Sequence, residues 1–272
     1  DAGHPELTFS VLKRIAAIPD LSEYNCSLFV AWGAATLNGE TYQMRNLDWS
    51  MDTGFQNYPV VAVYSPEDGV KHAVVGFAGV IGVSVGGMNV EGLAVSEIMG
   101  HFCDQETLEG IPFPFLLRDV LYFDTDLQSA LARMKSATRT NQYHYALADP
   151  DAPDPKGRLL FTSNTRFDEY TDNQSVKPHP CADVKPFHES MDDVVYWKNH
   201  NGRDNDVLYD AILERYGQID AEKAIEIAKA ACVDGTLVSI IYHNSGNDMW
   251  VAFAEGLTPG PRQTYVHVKL DD

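Results

Sequence analysis

The residue pattern predicts an α+β fold in which two antiparallel sheets lie face to face and helices cover the outside. The order of segments carries this first: strands, a helix pair, strands, a second helix pair, then closing strands. The stretch 26–32 carries it second. Cys26, Leu28, Val30 and Trp32 fall on one face and Ser27, Phe29 and Ala31 on the other, and both faces are largely apolar, as in a strand covered on both sides. Third, no repeat, low-complexity segment or composition shift divides the chain after residue 25, so residues 26–272 read as one domain.

A chain of 272 residues, 44% of them hydrophobic, can bury a large core. No apolar run reaches the roughly 18 residues that a membrane-spanning helix needs. The 39 Asp and Glu outnumber 20 Lys and Arg, a net charge of −19. Such a surface repels phosphate backbones and argues against nucleic acid as a partner. Cysteines 26, 103, 181 and 232 show neither CxxC nor metal-ligand spacing.

Residues 1–25 read as a short prosegment. Leu7, Val11, Leu12, Ile15 and Ala16 stand close to helical spacing within Pro5 to Ile18, and Asp20 to Asn25 is a polar connector. Asn38-Gly39 after the first strand is a two-residue hairpin signal, with both residues expected at positive φ. A second strand over about Glu40 to Asn46 then runs back antiparallel and brings Arg45 near Cys26. Strands are predicted over 60–64, 73–77, 80–85 and 93–97, punctuated by Gly76, Gly79, Gly82, Gly86 and Gly87. Those glycines mark tight hairpins or close backbone approach beside a pocket. Helices follow over 113–123 and 126–137, the second capped by Thr125 or Asp126. A strand pair is expected over 143–149 and 158–163, an irregular stretch over 164–192 and a short strand over 194–198. Helices over 206–216 and 221–231 come next, the latter capped by Asp220. Strands over 236–242, 249–254 and 265–270 close the chain.

Cys26 carries the chemistry. A cysteine on an apolar strand is by default inert, and reactivity requires a base or a positive neighbour that favours the thiolate. No papain-like signature surrounds Cys26, and the nine histidines are scattered. A cut between Asn25 and Cys26 would supply the base: the new α-amine, of ordinary pKa about 7.7–8.0, sits on the residue that bears the thiol. Arg45 would favour the thiolate, and Asp48 would hold or orient the amine. Arg45 and Asp48 differ by three positions, so in a straight strand they point to opposite faces. A bend or bulge after Asn46 is therefore expected if both serve one site. The other reading is a surface ion pair beside a turn.

The run from Cys26 through Trp32 to Gly39, followed by Arg45-Asn46-Leu47-Asp48-Trp49, resembles the penicillin acyltransferase family of self-cleaving N-terminal-nucleophile (Ntn) hydrolases. That family is related to choloylglycine hydrolases, acid ceramidases and phospholipase-B-like proteins. Gly86 to Ser96 is similar to its second motif. Val194 to His200 is similar to its third, with Lys198 where Thr is common. The resemblance implies a four-layer αββα sandwich and a Cys26 nucleophile for both self-cleavage and turnover. It implies that Arg45 and Asp48 position the thiol and amine, and that Asn199 donates to an oxyanion hole. Glu97 stands where ceramidase-like relatives place a Glu concerned with self-processing, and Asn25 supplies the carbonyl to be cut. Asn89 belongs to the second motif, as a turn former or a pocket residue.

The expected reaction is hydrolysis of linear amides, or acyl transfer, through a Cys26 thioester, with a small acyl amide as substrate and no metal or organic cofactor. The alternatives are an ester or phospholipid substrate, and a binding protein on the same fold. The oligomeric state is left open, a homo-oligomer included. Asp192-Asp193 reads as an exposed turn, and His179, Cys181 and His188 match no standard zinc spacing. Phe55, Tyr58, Phe113 and Phe115 are acyl-pocket or core residues.

Overall fold

The computed structural model describes residues 4, 6, 8–18, 25–80, 85–100, 106–175, 189–199 and 205–270. The chain opens with helix α1 (Phe9–Ala16), whose N-cap Thr8 accepts from the Val11 N–H. A hairpin of β1 (Asn25–Gly33) and β2 (Gly39–Asp48) follows. The chain then crosses to a second layer and builds a meander of β3 (Pro59–Tyr64), β4 (His72–Phe77), β5 (Gly86–Asn89), β6 (Ala94–Met99), β7 (Tyr143–Ala148), β8 (Gly157–Thr162) and β9 (Phe167–Tyr170). It returns through β10 (Val194–Asn199), which pairs with β1 on the side away from β2. β11 (Thr236–His243) pairs with the free side of β2, and β12 (Asp248–Phe253) and β13 (Val266–Lys269) extend that edge. The strand order is β10-β1-β2-β11-β12-β13 in one sheet and β3 through β9 in sequence in the other, and all neighbours are antiparallel.

The two sheets bury one apolar layer between them. Leu28, Val30 and Trp32 of β1 share it with Tyr145 and Leu147 of β7 and Leu160 of β8. α2 (Phe113–Phe123) and α3 (Leu127–Ser136) lie outside the seven-stranded sheet. α4 (Asn205–Leu213) and α5 (Ala221–Ala230) cover the six-stranded sheet. There Phe29, Met44 and Ile241 meet Leu208, Ile212 and Ile227 in a second apolar layer. The result is the four-layer αββα sandwich, and β1 is covered on both faces. Of the two candidate caps for α3 it is Asp126, not Thr125, that accepts from the Ser129 N–H, and Asp220 accepts from the Lys223 N–H as expected.

Several local expectations need correction. Asn38 does not take positive φ; the left-handed positions are Gly33 and Gly39, and residues 34–38 form the connection. This loop is longer than a two-residue turn because Thr36 leaves the hairpin to bridge Ile219, and the Leu37 N–H donates to the Ile219 carbonyl. Gly86–Asn89 is a strand, not merely a glycine-rich connection. A Cβ on Gly86 would collide with the Tyr242 hydroxyl, and one on Gly87 would come within 2.5 Å of Leu121. The glycines therefore permit close packing on both faces of β5. β9 lies inside the stretch read as irregular, held against β8. The helix expected over 206–216 ends at Leu213, and Gly217 at φ 79° turns the chain back onto Ala35. The predicted strand over 80–85 falls largely outside the described residues, as does the connector at 20–24.

Candidate active site

Four strand ends from distant parts of the sequence meet at one end of the six-stranded sheet. Cys26 at the start of β1 lies opposite Asn199 at the end of β10 and opposite Leu47 on β2. Asn25 lies opposite Asp48, and Asp48 in turn lies opposite Thr236 at the start of β11.

This register answers the question raised by the spacing of Arg45 and Asp48. Residues directly opposite share a face, so Cys26, Leu28, Arg45 and Leu47 project into the layer between the sheets. Asp48 follows on the opposite alternation, yet it stands across from the residue that precedes Cys26. Its neighbour is therefore the Asn25–Cys26 junction, whereas Arg45 approaches from the thiol side. The bend expected in β2 is not needed.

Arg45 and Glu97 form an ion pair between the sheets. Arg45 Nη2 donates to Glu97 Oε1 at 2.7 Å, and both side chains are fully buried. Arg45 Nη1 also donates to the Asn46 carbonyl. Gln43, two residues earlier on the same face, donates from Nε2 to Ser96 Oγ at 2.9 Å. These polar bridges fix β2 against β6 near Cys26.

Cys26 itself is fully buried. Burial pushes its thiol well above the ordinary range. The Arg45 guanidinium pulls the other way, the Glu97 and Asp48 carboxylates push it up, and a hydrogen bond from the Asp48 backbone pulls it down. Burial dominates, so in the continuous chain the thiol is held neutral, and Arg45 alone does not make a thiolate.

Asn199 is placed by its backbone, directly opposite Cys26. Lys198, one residue earlier, lies opposite Ser27 and is buried. Its Nζ donates to the carbonyl of Ala231, the C-cap of α5, at 2.7 Å. A cation at a helix C-terminus satisfies a terminal carbonyl and complements the helix dipole. That gives Lys198 a structural role on the helix side of the sheet, where the resembling motif has Thr.

Asn89 stands apart from this cluster. Its Oδ1 accepts from the Glu91 and Leu93 N–H groups, and its Nδ2 donates to the Asp124 carbonyl at 2.8 Å. The side chain is taken up by the turn after β5. Asp193 sits in a left-handed turn and accepts from the Ala34 N–H at 2.6 Å, and Asp192 is exposed. His179, Cys181 and His188 lie outside the described residues. Phe113 is buried against Tyr143, with ring centroids 4.4 Å apart, and Tyr58 is exposed. Phe55 instead joins an aromatic group with Trp49 and Phe77 at 5.1 and 5.5 Å, beside the Asp48 end of β2.

Thr236 was legible in the sequence only as the start of a strand. Its Oγ1 donates to Asp48 Oδ1 at 2.6 Å. No spacing rule anticipates this contact, because it depends on an irregularity between Thr236 and Val238 in the pairing of β11 with β2.

The family model described as acyl-coenzyme A:6-aminopenicillanic acid acyl-transferase matches residues 35–153, which include Arg45, Asp48 and Glu97. The Dictyostelium discoideum protein dcd1B is 27% identical over 260 residues, covering 94% of this chain and 50% of dcd1B. Protein dcd1A of the same organism is 29% identical over 266 residues, covering 94% of this chain and 59% of dcd1A. The chain thus spans about half the length of these relatives. Among solved structures, the Caenorhabditis elegans ortholog of N-acylethanolamine-hydrolyzing acid amidase superposes with a TM-score of 0.63 at 16% identity, over 81% of this chain and 93% of that one. Penicillin V acylase from Agrobacterium tumefaciens gives 0.54 at 11% identity, over 85% and 84%. At these identities the structural likeness speaks for the fold.

Proposed function

We propose that this chain, which carries a penicillin acyltransferase family domain on an Ntn-hydrolase fold, is an acyl-amide hydrolase whose nucleophile is the Cys26 thiol, freed as an N-terminus by a cut after Asn25. The observation that supports it most is the register: Cys26 stands opposite Asn199, and Asn25 stands opposite Asp48.

Maturation begins with attack of Cys26 Sγ on the carbonyl carbon of Asn25. The acyl group moves from nitrogen to sulfur, giving a thioester and a free Cys26 α-amine. Water hydrolyses the thioester and releases the segment that ends at Asn25. A thiol that burial holds neutral in the continuous chain then gains an amine base on its own residue.

In turnover the amine takes the thiol proton, and the sulfur attacks the carbonyl carbon of an acyl amide. The oxyanion accepts from the Asn199 side chain and from a backbone N–H. As the C–N bond breaks, the leaving amine takes the proton from the Cys26 ammonium, and the acyl group stays on sulfur as a thioester. Water releases the acid, or an acceptor amine takes the acyl group. Asp48 orients the amine, and the buried Arg45–Glu97 pair sets the charge beneath the thiol. Trp49, Phe55 and Phe77, packed together beside Asp48, suit an apolar acyl group.

Intact mass and N-terminal sequencing of the purified chain test the reading. The expected product begins at Cys26 and hydrolyses N-acyl amides faster than phospholipids supplied beside them. An uncut chain that still hydrolyses amides overturns the self-supplied base. Faster phospholipid turnover gives the ester reading instead. Asn199→Ala is expected to lower kcat by about 10²–10³-fold, equivalent to about 2.7–4 kcal/mol of transition-state stabilisation. Steady-state kinetics on matured protein read this directly.

A further inference from the structure

The Asp48 carboxylate is gripped from the side away from the nucleophile. Thr236 and Asp48 are both buried, and their 2.6 Å contact falls in the range of a charge-assisted O–H to carboxylate bond. The same Thr236 oxygen accepts the Val233 N–H at 3.1 Å. A hydroxyl has one proton, and the contact with a carboxylate that can only accept gives that proton to Asp48.

A bulge produces the contact. Thr236 pairs with Asp48, and Val238 pairs with Leu47, so β11 carries one residue more than β2 between these rungs. Continued regular pairing from Val238 would set Leu237 against Asp48. Leu237 is instead buried in the apolar layer, and a hydroxyl faces the carboxylate. The ladder is closed just beyond by the Trp49 N–H, which donates to the Gly235 carbonyl at 2.8 Å. A Cβ on Gly235 would come within 2.8 Å of the Trp49 carbonyl oxygen, so the glycine permits this approach. Burial pushes the Cys232 thiol above its ordinary value, against a hydrogen bond with the Thr236 side chain and the charges of Arg262 and Lys198, which pull it down, while the Asp48 carboxylate pushes it up. Its Sγ donates to the Val233 carbonyl. Thr236 is thus a neutral donor on this side of Asp48, set apart from the Arg45–Glu97 pair on the thiol side.

We infer that Thr236 is a positioning residue for the reaction at Cys26: through its hydroxyl and the β11 bulge it holds the Asp48 carboxylate toward the Asn25–Cys26 junction, where the α-amine is freed. This role rests on the proposed function.

The test uses the full chain with Thr236→Val, Thr236→Ser and Thr236→Ala. Val keeps the shape without the hydroxyl, Ser keeps the hydroxyl, and Ala removes it without adding bulk. The cut is followed by intact mass, and kcat and KM are then measured on an N-acyl amide. Val and Ala are expected to lower kcat by about 10–10²-fold with KM unchanged, as misplacement of a reacting group does, and Ser is expected to restore kcat. If wild type is cut but kcat in Val or Ala stays at the wild-type level, the role is overturned. A Ser variant as slow as Ala also overturns it, since loss would then follow packing and not the hydroxyl. A wild-type chain that is never cut overturns the Cys26 reaction and this role together.

Discussion

Cys26→Ala is expected to leave the chain continuous across Asn25–Cys26 and to lower amide hydrolysis by about 10⁶-fold, the scale seen when an activated nucleophile is removed. The proposed mechanism requires the same sulfur twice, once to open the peptide bond and once to carry the acyl group. The fold should survive. Cys26 is one small residue in a large apolar layer, and removing its sulfur costs about 1 kcal/mol of burial and packing. Intact mass and a denaturant titration on the same preparation separate the two effects. An uncut Ala variant that retains amide hydrolysis would place the nucleophile elsewhere. A chain that is cut normally without Cys26 would show that another agent makes the break.

Arg45→Met is expected to destabilise the chain by about 3–5 kcal/mol, because it leaves Glu97 buried between the sheets without the cation opposite it. Urea unfolding followed by circular dichroism reads the change. The double variant Arg45→Met/Glu97→Leu replaces both charges with apolar bulk and is expected to recover most of that stability, since a well-packed apolar pair often equals a buried ion pair. It should not recover the cut at Asn25–Cys26, because the guanidinium that favours the thiolate is still missing. Stability and processing would then part company in one protein. Wild-type stability in the single variant would argue that Glu97 is not held as an anion by Arg45.

Local pattern accounts for a large part of this molecule. Alternation along 26–32 marked a strand buried on both faces, and β1 is covered by a sheet on one side and by α4 and α5 on the other. Asp126 and Asp220 were legible as caps because an N-cap is decided by a side chain and a backbone N–H three residues apart. The return of Arg45 toward Cys26 followed from two strands joined by a short connection, even though Asn38-Gly39 is not the turn itself.

What tertiary structure decided was register and the pairing of one sheet with the other. Side-chain alternation says which face a residue takes within its own strand, but not which residue of another strand stands opposite. Asp48 is next to the Asn25–Cys26 junction because β1 and β2 pair with Asn25 opposite it; spacing gave its face correctly but not the residue it would stand against. Glu97 meets Arg45 only because a sheet formed from residues 59–170 packs over the hairpin. Thr236 reaches Asp48 through one extra residue in β11, a feature set by the competition between the ladder and the packing of Leu237. Cys26, its neighbouring arginine and the strand pair that carries them were therefore determined within a few tens of residues. The carboxylates and the hydroxyl that surround them were decided by contacts across the whole chain, where burial and register outweigh local preference.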